Sequence, residues 1–224
     1  MLLSFIAFTN AINAQSASTI GFSFAYGSRV LNIDDSLNLP NDSTFLRITE
    51  LKFYISNIRF LKNGEVVLEE KNSFHLVDAN QIIPNQILVE NKQNIAFDEI
   101  KFDLGIDSIT NVSGAMGGDL DPTKGMYWTW QNGYINFKLE GTSQLCKTRN
   151  NEFTFHLGGY QQPYYCLQTL HFKTNNSSTM NFKLDVQKIL NQVDLAKTNH
   201  VMSPCEEAVI LSKIVANAFN LLQN

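Results

Sequence analysis

The fold is decided by residues 51–69, which read LKFYISNIRFLKNGEVVLE. Apolar residues alternate over 51–55 and again over 58–60, with a shift in phase at Ser56-Asn57. Alternation with a period of two is typical of a strand that is buried on one face, and the phase shift indicates a bulge. Asn63-Gly64 then predicts a type I′ turn, because both residues readily adopt the positive φ that this turn requires. The segment therefore predicts a β-hairpin.

The same alternation recurs along most of the chain. It predicts further strands within residues 20–26, 74–77, 95–104, 126–130, 135–139, 153–156, 165–172 and 180–186. Aromatic residues make up 11% of the sequence, and this richness also favours strands. Residues 105–125 are rich in glycine and carry no sustained pattern, so we expect a long loop there.

The period changes at the C-terminus. Ser203-Pro204-Cys205-Glu206 has the pattern of a capping box with proline at the first helical position, and apolar residues then follow helical spacing to Leu222. This pattern predicts one amphipathic helix over residues 204–222. We expect a single all-β domain over residues 16–224: an antiparallel, immunoglobulin-like β-sandwich with one C-terminal amphipathic helix.

The N-terminal residues 1–15 resemble an export signal. Met1–Ala14 is uncharged, is apolar up to Asn10, and is too short to span a bilayer. It predicts a secretory signal peptide ending at Ala14 or Gln15. Such a peptide ordinarily has a Lys or Arg before its apolar stretch, and none is present here, so its true start would lie upstream of Met1. The alternative is a buried first strand. A signal peptide would place the protein in the periplasm, at the cell surface or in the medium.

An oxidising compartment would allow the three cysteines to form a disulfide. Cys146 and Cys166 form the preferred pair, because they close a local loop of about 20 residues. Pairs that include Cys205 remain open, and no Cys-x-x-Cys spacing indicates a metal or redox site.

Several function classes are disfavoured. The net charge is −4 without a basic cluster, so nucleic acid is not an expected partner. No further segment approaches membrane-spanning length. The sequence contains no recognisable nucleophile motif, P-loop, zinc-protease motif or dinucleotide fingerprint, and we therefore do not expect an enzyme.

The candidate site residues are histidines and tryptophans. Imidazole suits copper and zinc, so converging histidines would make a metal site. His156 precedes Gly158-Gly159, where a backbone can approach a site closely, and His200 precedes the predicted helix, whereas His171 has the pattern of an outward strand residue. Trp128 and Trp130 lie two positions apart, and on one strand they would share a face. Core packing is the alternative interpretation of this pair.

Four segments resemble the MbnP-like family, which is related to methanobactin-associated periplasmic copper-binding proteins. Residues 119–141, with MYWTWQNGY at their centre, are similar to its central motif, and Phe155-His-Leu-Gly-Gly159 to its downstream motif. Residues 51–58 and 200–204 resemble its early strand and its final segment. The resemblance implies a secreted β-sandwich that holds Cu(I) with two histidines beside a tryptophan oxidised to kynurenine. On this chain it indicates Trp128 or Trp130 as the modified residue and His156 and His200 as ligands, with His75 as a further candidate. It also implies a di-haem peroxidase-like partner for the oxidation.

Two hypotheses of different classes follow. The first is a non-catalytic copper-binding protein that sequesters or delivers the ion outside the cytoplasm. The second is a metal-free adhesion or ligand-binding module, which would use exposed aromatic and Asn side chains of the loop region to hold a sugar or a partner. The sequence leaves the oligomeric state undetermined.

Overall fold

The computed structural model describes residues 17–38, 44–81 and 85–222. Over these ranges the strands are β1 (Ala17–Tyr26), β2 (Arg29–Val30), β3 (Ser36–Asn38), β4 (Phe45–Lys62), β5 (Glu65–Glu69), β6 (Phe74–Asp78), β7 (Asn85–Glu90), β8 (Glu99–Leu104), β9 (Tyr127–Trp128), β10 (Gly133–Tyr134), β11 (Phe137–Ser143), β12 (Glu152–Leu157), β13 (Tyr160–Gln161), β14 (Tyr164–Tyr165), β15 (Gln168–Lys173), β16 (Thr179–Asp185), β17 (His200–Val201) and β18 (Phe219–Leu222). The helices are α1 (Ser108–Val112), α2 (Val186–Leu190) and α3 (Glu206–Ala216). The predicted signal peptide lies outside the described residues. In the part of the chain that is described, no helix is long and apolar enough to cross a membrane.

Strand β4 organises the larger sheet with its 18 residues. One edge of β4 pairs with β3, β6 and β5, whereas the other edge pairs with β11 along its first half and with β8 along its second half. The register against β8 shifts between Ser56 and Arg59, which confirms the predicted bulge. Asn63 and Gly64 have φ values of 52° and 85° in the turn between β4 and β5, so the predicted hairpin is also confirmed.

Two sheets pack face to face. The smaller has the order β18-β16-β1-β2, with β7 also paired to β1, and the larger contains β4 and its partners together with β12, β15 and β17. Phe22 of the smaller sheet lies edge to face against Phe53 and Phe102 of the larger, with ring centroids 5.6 and 6.2 Å apart. The predicted all-β sandwich is therefore confirmed. It is not wholly antiparallel, since β1 runs parallel to β16 and β12 runs parallel to β17.

The C-terminal helix is shorter than its apolar spacing predicts. Helix α3 begins at Glu206, with Cys205 as its N-cap and without a side-chain capping hydrogen bond, so the predicted capping box is not formed. The buried side chains Ala208, Leu211, Ser212 and Val215 form one stripe that faces the core. The helix ends at Ala216, and Phe219–Leu222 form a strand against β16. Pairing with the free edge of β16 therefore overrides the helical spacing of residues 219–222.

Residues 105–125, predicted as a loop, are partly ordered into α1 and two 3-10 turns, Gly118–Leu120 and Pro122–Lys124. Together with the following hairpin they cover the outer face of the larger sheet, meaning the face turned away from the smaller sheet. A second apolar cluster forms there, consisting of Tyr54, Ile106, Leu120, Met126, Trp128, Tyr134 and Ile135. The outer face of the sandwich therefore has a small core of its own.

The preferred disulfide, Cys146–Cys166, is not formed, and the three cysteines are free thiols. The two residues lie at opposite ends of β12. Cys146 belongs to the turn that Ser143 and Asn151 close by a backbone hydrogen bond, whereas the amide of Cys166 donates to the carbonyl of Gly159. At about 3.3 Å per residue, the length of β12 separates them by roughly 20 Å, far beyond the reach of a disulfide.

Candidate functional site

Trp128 is the centre of the candidate site. It ends strand β9, only 5% of its surface is exposed, and its indole packs in the outer apolar cluster. Its six-membered ring lies against Gly158: a Cβ atom built on Gly158 would be 2.8 Å from Cζ3 and 2.9 Å from Cη2 of the ring. A side chain at Gly158 would therefore displace the indole, and the glycine after His156 serves this close approach.

Trp130 does not share a strand face with Trp128, contrary to the prediction. Strand β9 ends at Trp128, and Trp130 lies in the turn that leads to Gly133, with 65% of its surface exposed. The two rings still contact each other, with centroids 5.8 Å apart and planes inclined by 43°. Trp128 is thus the buried member of the pair, and Trp130 is its exposed neighbour.

His156 lies on the outer face, two residues before the glycine against which Trp128 packs. It is on β12 opposite Lys138, and Gly158 follows two positions later on the same face. The imidazole Nε2 is 2.7 Å from Oε1 of Glu140, and 9% of the side chain is exposed. The hydrogen bond with His156 and the nearby Lys138 ammonium lower the pKa of Glu140, against the opposing effect of burial. The carboxyl group of Glu140 is therefore ionised at neutral pH.

Glu140 belongs to a row of charged side chains that crosses the outer face from β6 to β12. The row consists of Asp78, Lys52, Glu50, Lys138, Glu140 and His156. Successive nitrogen–oxygen distances along it are 3.6, 2.7, 3.2, 3.5 and 2.7 Å. Signs alternate from Asp78 to Glu140, so each of these charges is neutralised by its neighbours while the strands hold it partly buried, and His156 ends the row as the hydrogen-bond partner of Glu140. The polar row therefore holds Nε2 of His156.

The sequence analysis missed Glu140 as a site residue. The sequence feature that could have indicated it is a pair of short segments, Glu50-Leu51-Lys52 and Lys138-Leu139-Glu140. In each, two opposite charges flank a core leucine and therefore share the outer face of the strand. The register then places Lys52 beside Lys138 and Glu50 beside Glu140. This pairing across strands is not visible in either segment alone.

The structure separates the other predicted histidine ligands from one another. His200 is on β17, paired with Thr154, and so lies on the same face as His156, one strand further out and two residues along. Its side chain is exposed. His75 pairs with Ile55, a core residue, and therefore lies on the opposite face from Lys52 and His156. Its Nε2 is 2.9 Å from Glu70, so His75 does not converge with the other two.

His171 is an outward strand residue, as predicted. It is exposed on β15, and its Nε2 lies 2.7 Å from Oε2 of Glu99. This pair repeats the His–Glu contact of the candidate site on a solvated part of the sheet. It therefore offers a natural control for experiments on His156 and Glu140.

Among the described residues four buried side-chain polar atoms have no hydrogen-bond partner: Nε1 of Trp128, Oε1 of Gln131, Nδ2 of Asn136 and Nδ1 of His156. Gln131 belongs to the turn after Trp128, where its backbone N–H donates to the backbone carbonyl of Trp128. Buried polar atoms are nearly always paired, so a group of unpaired ones needs a functional or structural reason. Among the described residues no three His, Cys, Asp or Glu side chains are arranged to hold a metal ion. Any metal held by the described residues would thus use at most two side chains of these types, together with donors of other kinds.

Comparisons with known proteins agree with the fold and with the motifs. Residues 15–203 match the family model described as MbnP. The structure is similar to that of MbnP from Methylosinus trichosporium, with a TM-score of 0.64 and 12% identity over 87% of this chain and 86% of that chain. A comparison with curated proteins returns no match.

Proposed function

This chain belongs to the MbnP family, and from that membership together with the geometry around Trp128 we propose that it is a non-catalytic copper-binding protein that acts outside the cytoplasm. The observation that carries the proposal is the buried, unpartnered Nδ1 of His156, two residues before the glycine against which the buried indole of Trp128 packs. Neutral imidazole nitrogen is a good ligand for copper. The ion would bind on the outer face of the larger sheet, between the hairpin and β12.

His200 is the second imidazole in this proposal. It lies on the same face as His156, on the neighbouring strand and offset by two residues, a placement that separates backbone positions by about 7–8 Å. Its side chain is exposed. His75 has no part, because β4 and β6 hold it on the other face of the sheet.

Trp128 is the tryptophan that we propose is oxidised to kynurenine. An indole Nε1–H can only donate a hydrogen bond, so unmodified Trp128 offers no lone pair to a metal. Oxidative cleavage of the indole C2–C3 bond by the peroxidase-like partner, with two hydrogen peroxide molecules as oxidant, followed by hydrolysis that releases C2 as formate, would leave an aryl amine and a ketone at the same place, and both can act as donors. Trp130 is exposed and its ring is 5.8 Å from that of Trp128, so it forms the surface that an oxidising, di-haem peroxidase-like partner would meet first.

The test is a Cu(I) titration of the protein purified from its native host, in parallel with its intact mass and elemental content. We expect one copper ion per chain, a mass that corresponds to one kynurenine, and tandem mass spectra that place it at Trp128. His156→Ala should abolish tight binding. His171→Ala, which removes the exposed histidine with the same type of Glu partner, should leave binding unchanged. A metal-free protein with intact Trp128 and Trp130 and no affinity for Cu(I) would contradict the proposal.

A cleft between helix α1 and the turn that follows β9 favours a second candidate function, ligand binding without metal. It has a volume of about 540 Å³ and is lined in part by Tyr127, Tyr160 and Asn132. Aromatic faces and an amide are suited to a sugar or a peptide. Glycan-array or pull-down screening that finds a ligand whose binding is lost in Tyr160→Ala, while the protein shows no copper affinity, would favour this function over the first.

A further inference from the structure

The two ring nitrogens of His156 have different surroundings. Nε2 is 2.7 Å from Oε1 of Glu140. An ionised carboxylate only accepts hydrogen bonds, so Nε2 must carry the proton in this contact. Nδ1 is buried and has no partner. In a neutral imidazole with its proton on Nε2, Nδ1 holds the free lone pair.

Glu140 and Trp128 lie on opposite sides of His156 along β12. Glu140 pairs with Thr154, two residues before His156, whereas the ring of Trp128 lies against Gly158, two residues after it. The hydrogen bond to Glu140 thus draws Nε2 away from the indole. The second ring nitrogen, Nδ1, is buried and is not committed to the polar row.

Glu140 is itself held in place. The ammonium of Lys138 is 3.5 Å from Oε1 of Glu140 and 3.2 Å from Oε2 of Glu50, and it also donates to the carbonyl of Gly125 at 3.2 Å. Lys138 has 11% of its side chain exposed, so these contacts are shielded from solvent. A carboxylate fixed in this way restrains the rotation of the imidazole that donates to it.

From these contacts we propose that Glu140 is a positioning residue: it fixes His156 as the Nε2-protonated tautomer and thereby presents Nδ1 as the metal-binding atom. The inference rests on the proposed function for the identity of the ion. A carboxylate that orients a ligating histidine in this way commonly contributes about 10–100-fold to metal affinity. The rest of the polar row acts through Glu140 and touches no ligand itself.

The first part of the test needs no metal. Two-bond ¹H–¹⁵N spectra of the metal-free protein at pH 7.5, with His156 assigned by comparison with His156→Gln, report which nitrogen carries the proton. We expect a protonated Nε2 and an unprotonated Nδ1 at His156. In Glu140→Leu we expect the two tautomers to mix. A proton on Nδ1 in the wild type, in either the neutral or the doubly protonated ring, would overturn the inference whatever the protein does with copper.

The second part measures affinity by competition with a Cu(I) chelator. Glu140→Leu should weaken Cu(I) binding about 10–100-fold. Glu140→Gln should lose less affinity, because its amide oxygen still accepts a hydrogen bond from Nε2. Glu99→Gln, which alters the matched pair with His171, should bind as the wild type does. Since Cu(I) is diamagnetic, the ¹⁵N signal of Nδ1 should shift on loading while Nε2 keeps its proton.

The outcomes separate the two proposals. Wild-type protein that binds copper with the Glu140 variants unaffected would overturn the positioning role and leave the proposed function standing. Wild-type protein without copper affinity but with the expected tautomer would contradict the proposed function alone. If Glu140→Leu fails to fold, the wild-type spectra and the Cu(I) affinity of Glu140→Gln still test the positioning role of Glu140.

Discussion

The indole of Trp128 rests on Gly158 so closely that a single added methyl group would meet it at 2.8 Å, and the same methyl group would be 2.6 Å from the carbonyl oxygen of Tyr134. The hairpin over the sheet therefore depends on the absence of a side chain at this one position of the chain. Both residues that a Cβ would meet, Trp128 and Tyr134, belong to the hairpin that covers this face of the sheet.

Gly158→Ala should therefore lower the free energy of unfolding by about 1–3 kcal/mol, as overpacking of a closed interior does. Denaturant unfolding followed by tryptophan fluorescence measures both the stability and the environment of Trp128. Gly117→Ala is the control, because a Cβ at Gly117 meets nothing within 4 Å. Equal losses in the two variants would show that Trp128 does not rest on Gly158.

The buried side chain of Asn111 ties helix α1 to the hairpin. Its amide donates to the carbonyls of Ile106 and Asp107 and accepts from the backbone N–H of Tyr134 at 2.8 Å. Asn111→Ala would leave these buried groups without partners, at a cost of about 1–3 kcal/mol. Amide hydrogen exchange at Tyr134 should accelerate accordingly. Ser113→Ala removes an exposed hydrogen bond from the same helix and should change little; unaltered exchange at Tyr134 in Asn111→Ala would contradict the assignment.

The three thiols should react with iodoacetamide in a defined order. Burial raises the pKa of Cys166 to about 11, although a hydrogen bond with Ser212 opposes the shift. The thiolate is the reactive form, so at pH 8 Cys166 is doubly protected, by protonation and by having only 1% of its surface exposed. Cys205 is half-buried at the N-terminus of α3 and should be labelled first. Peptide mass spectrometry in native buffer and in denaturant checks this, and fast native labelling of Cys166 would refute it.

The contact between Glu70 and His75 should make stability depend on pH. Burial alone would raise the pKa of Glu70, but hydrogen bonds with His75 and Ser73 outweigh it and leave the pKa below its ordinary value of 4.5. A carboxyl group whose folded pKa is lowered stabilises the fold above its ordinary pKa, and this contribution is lost as the pH falls through the lowered value. Glu70→Gln should thus cost about 1 kcal/mol at pH 7 and progressively less below pH 4.5.

The measurement is denaturant unfolding of wild type and Glu70→Gln across that pH range. Glu69→Gln is the matched control: Glu69 pairs with Lys71, whose side chain is 76% exposed, so its loss should have little effect at any pH. A loss in the free energy of unfolding of Glu70→Gln that is the same at pH 7 and pH 3 would contradict the role of this carboxylate.

Local chemistry was sufficient to predict the hairpin of β4 and β5, because the alternation of core residues and the Asn63-Gly64 turn both act within a few residues. The end of α3 was not predictable in the same way. The apolar spacing up to Leu222 suits a helix, but the open edge of β16, which is distant in sequence, takes these residues as a strand. The disulfide prediction failed for a related reason: loop length says nothing about which ends of β12 the two cysteines occupy.

The candidate site was predicted in part. Motif and spacing indicated Trp128 and His156, and the structure brings them together on one face. The face on which His75 lies follows from its pairing with Ile55, and no pattern within β6 encodes that choice. Glu140 was missed because its partner His156 is 16 residues away, on the next strand.

The match to the family model ends at residue 203, yet the folded body of this protein continues beyond it. Phe219 of β18 is 5% exposed, and its ring lies 5.4 Å from that of Phe53, in the middle of the sandwich. A chain that ends at residue 203 would lack the buried ring of Phe219 and would leave β16 without β18, its hydrogen-bonding partner. The bare edge would then invite pairing with another molecule, so a shortened form of this protein should precipitate or self-associate where the longer one stays dispersed.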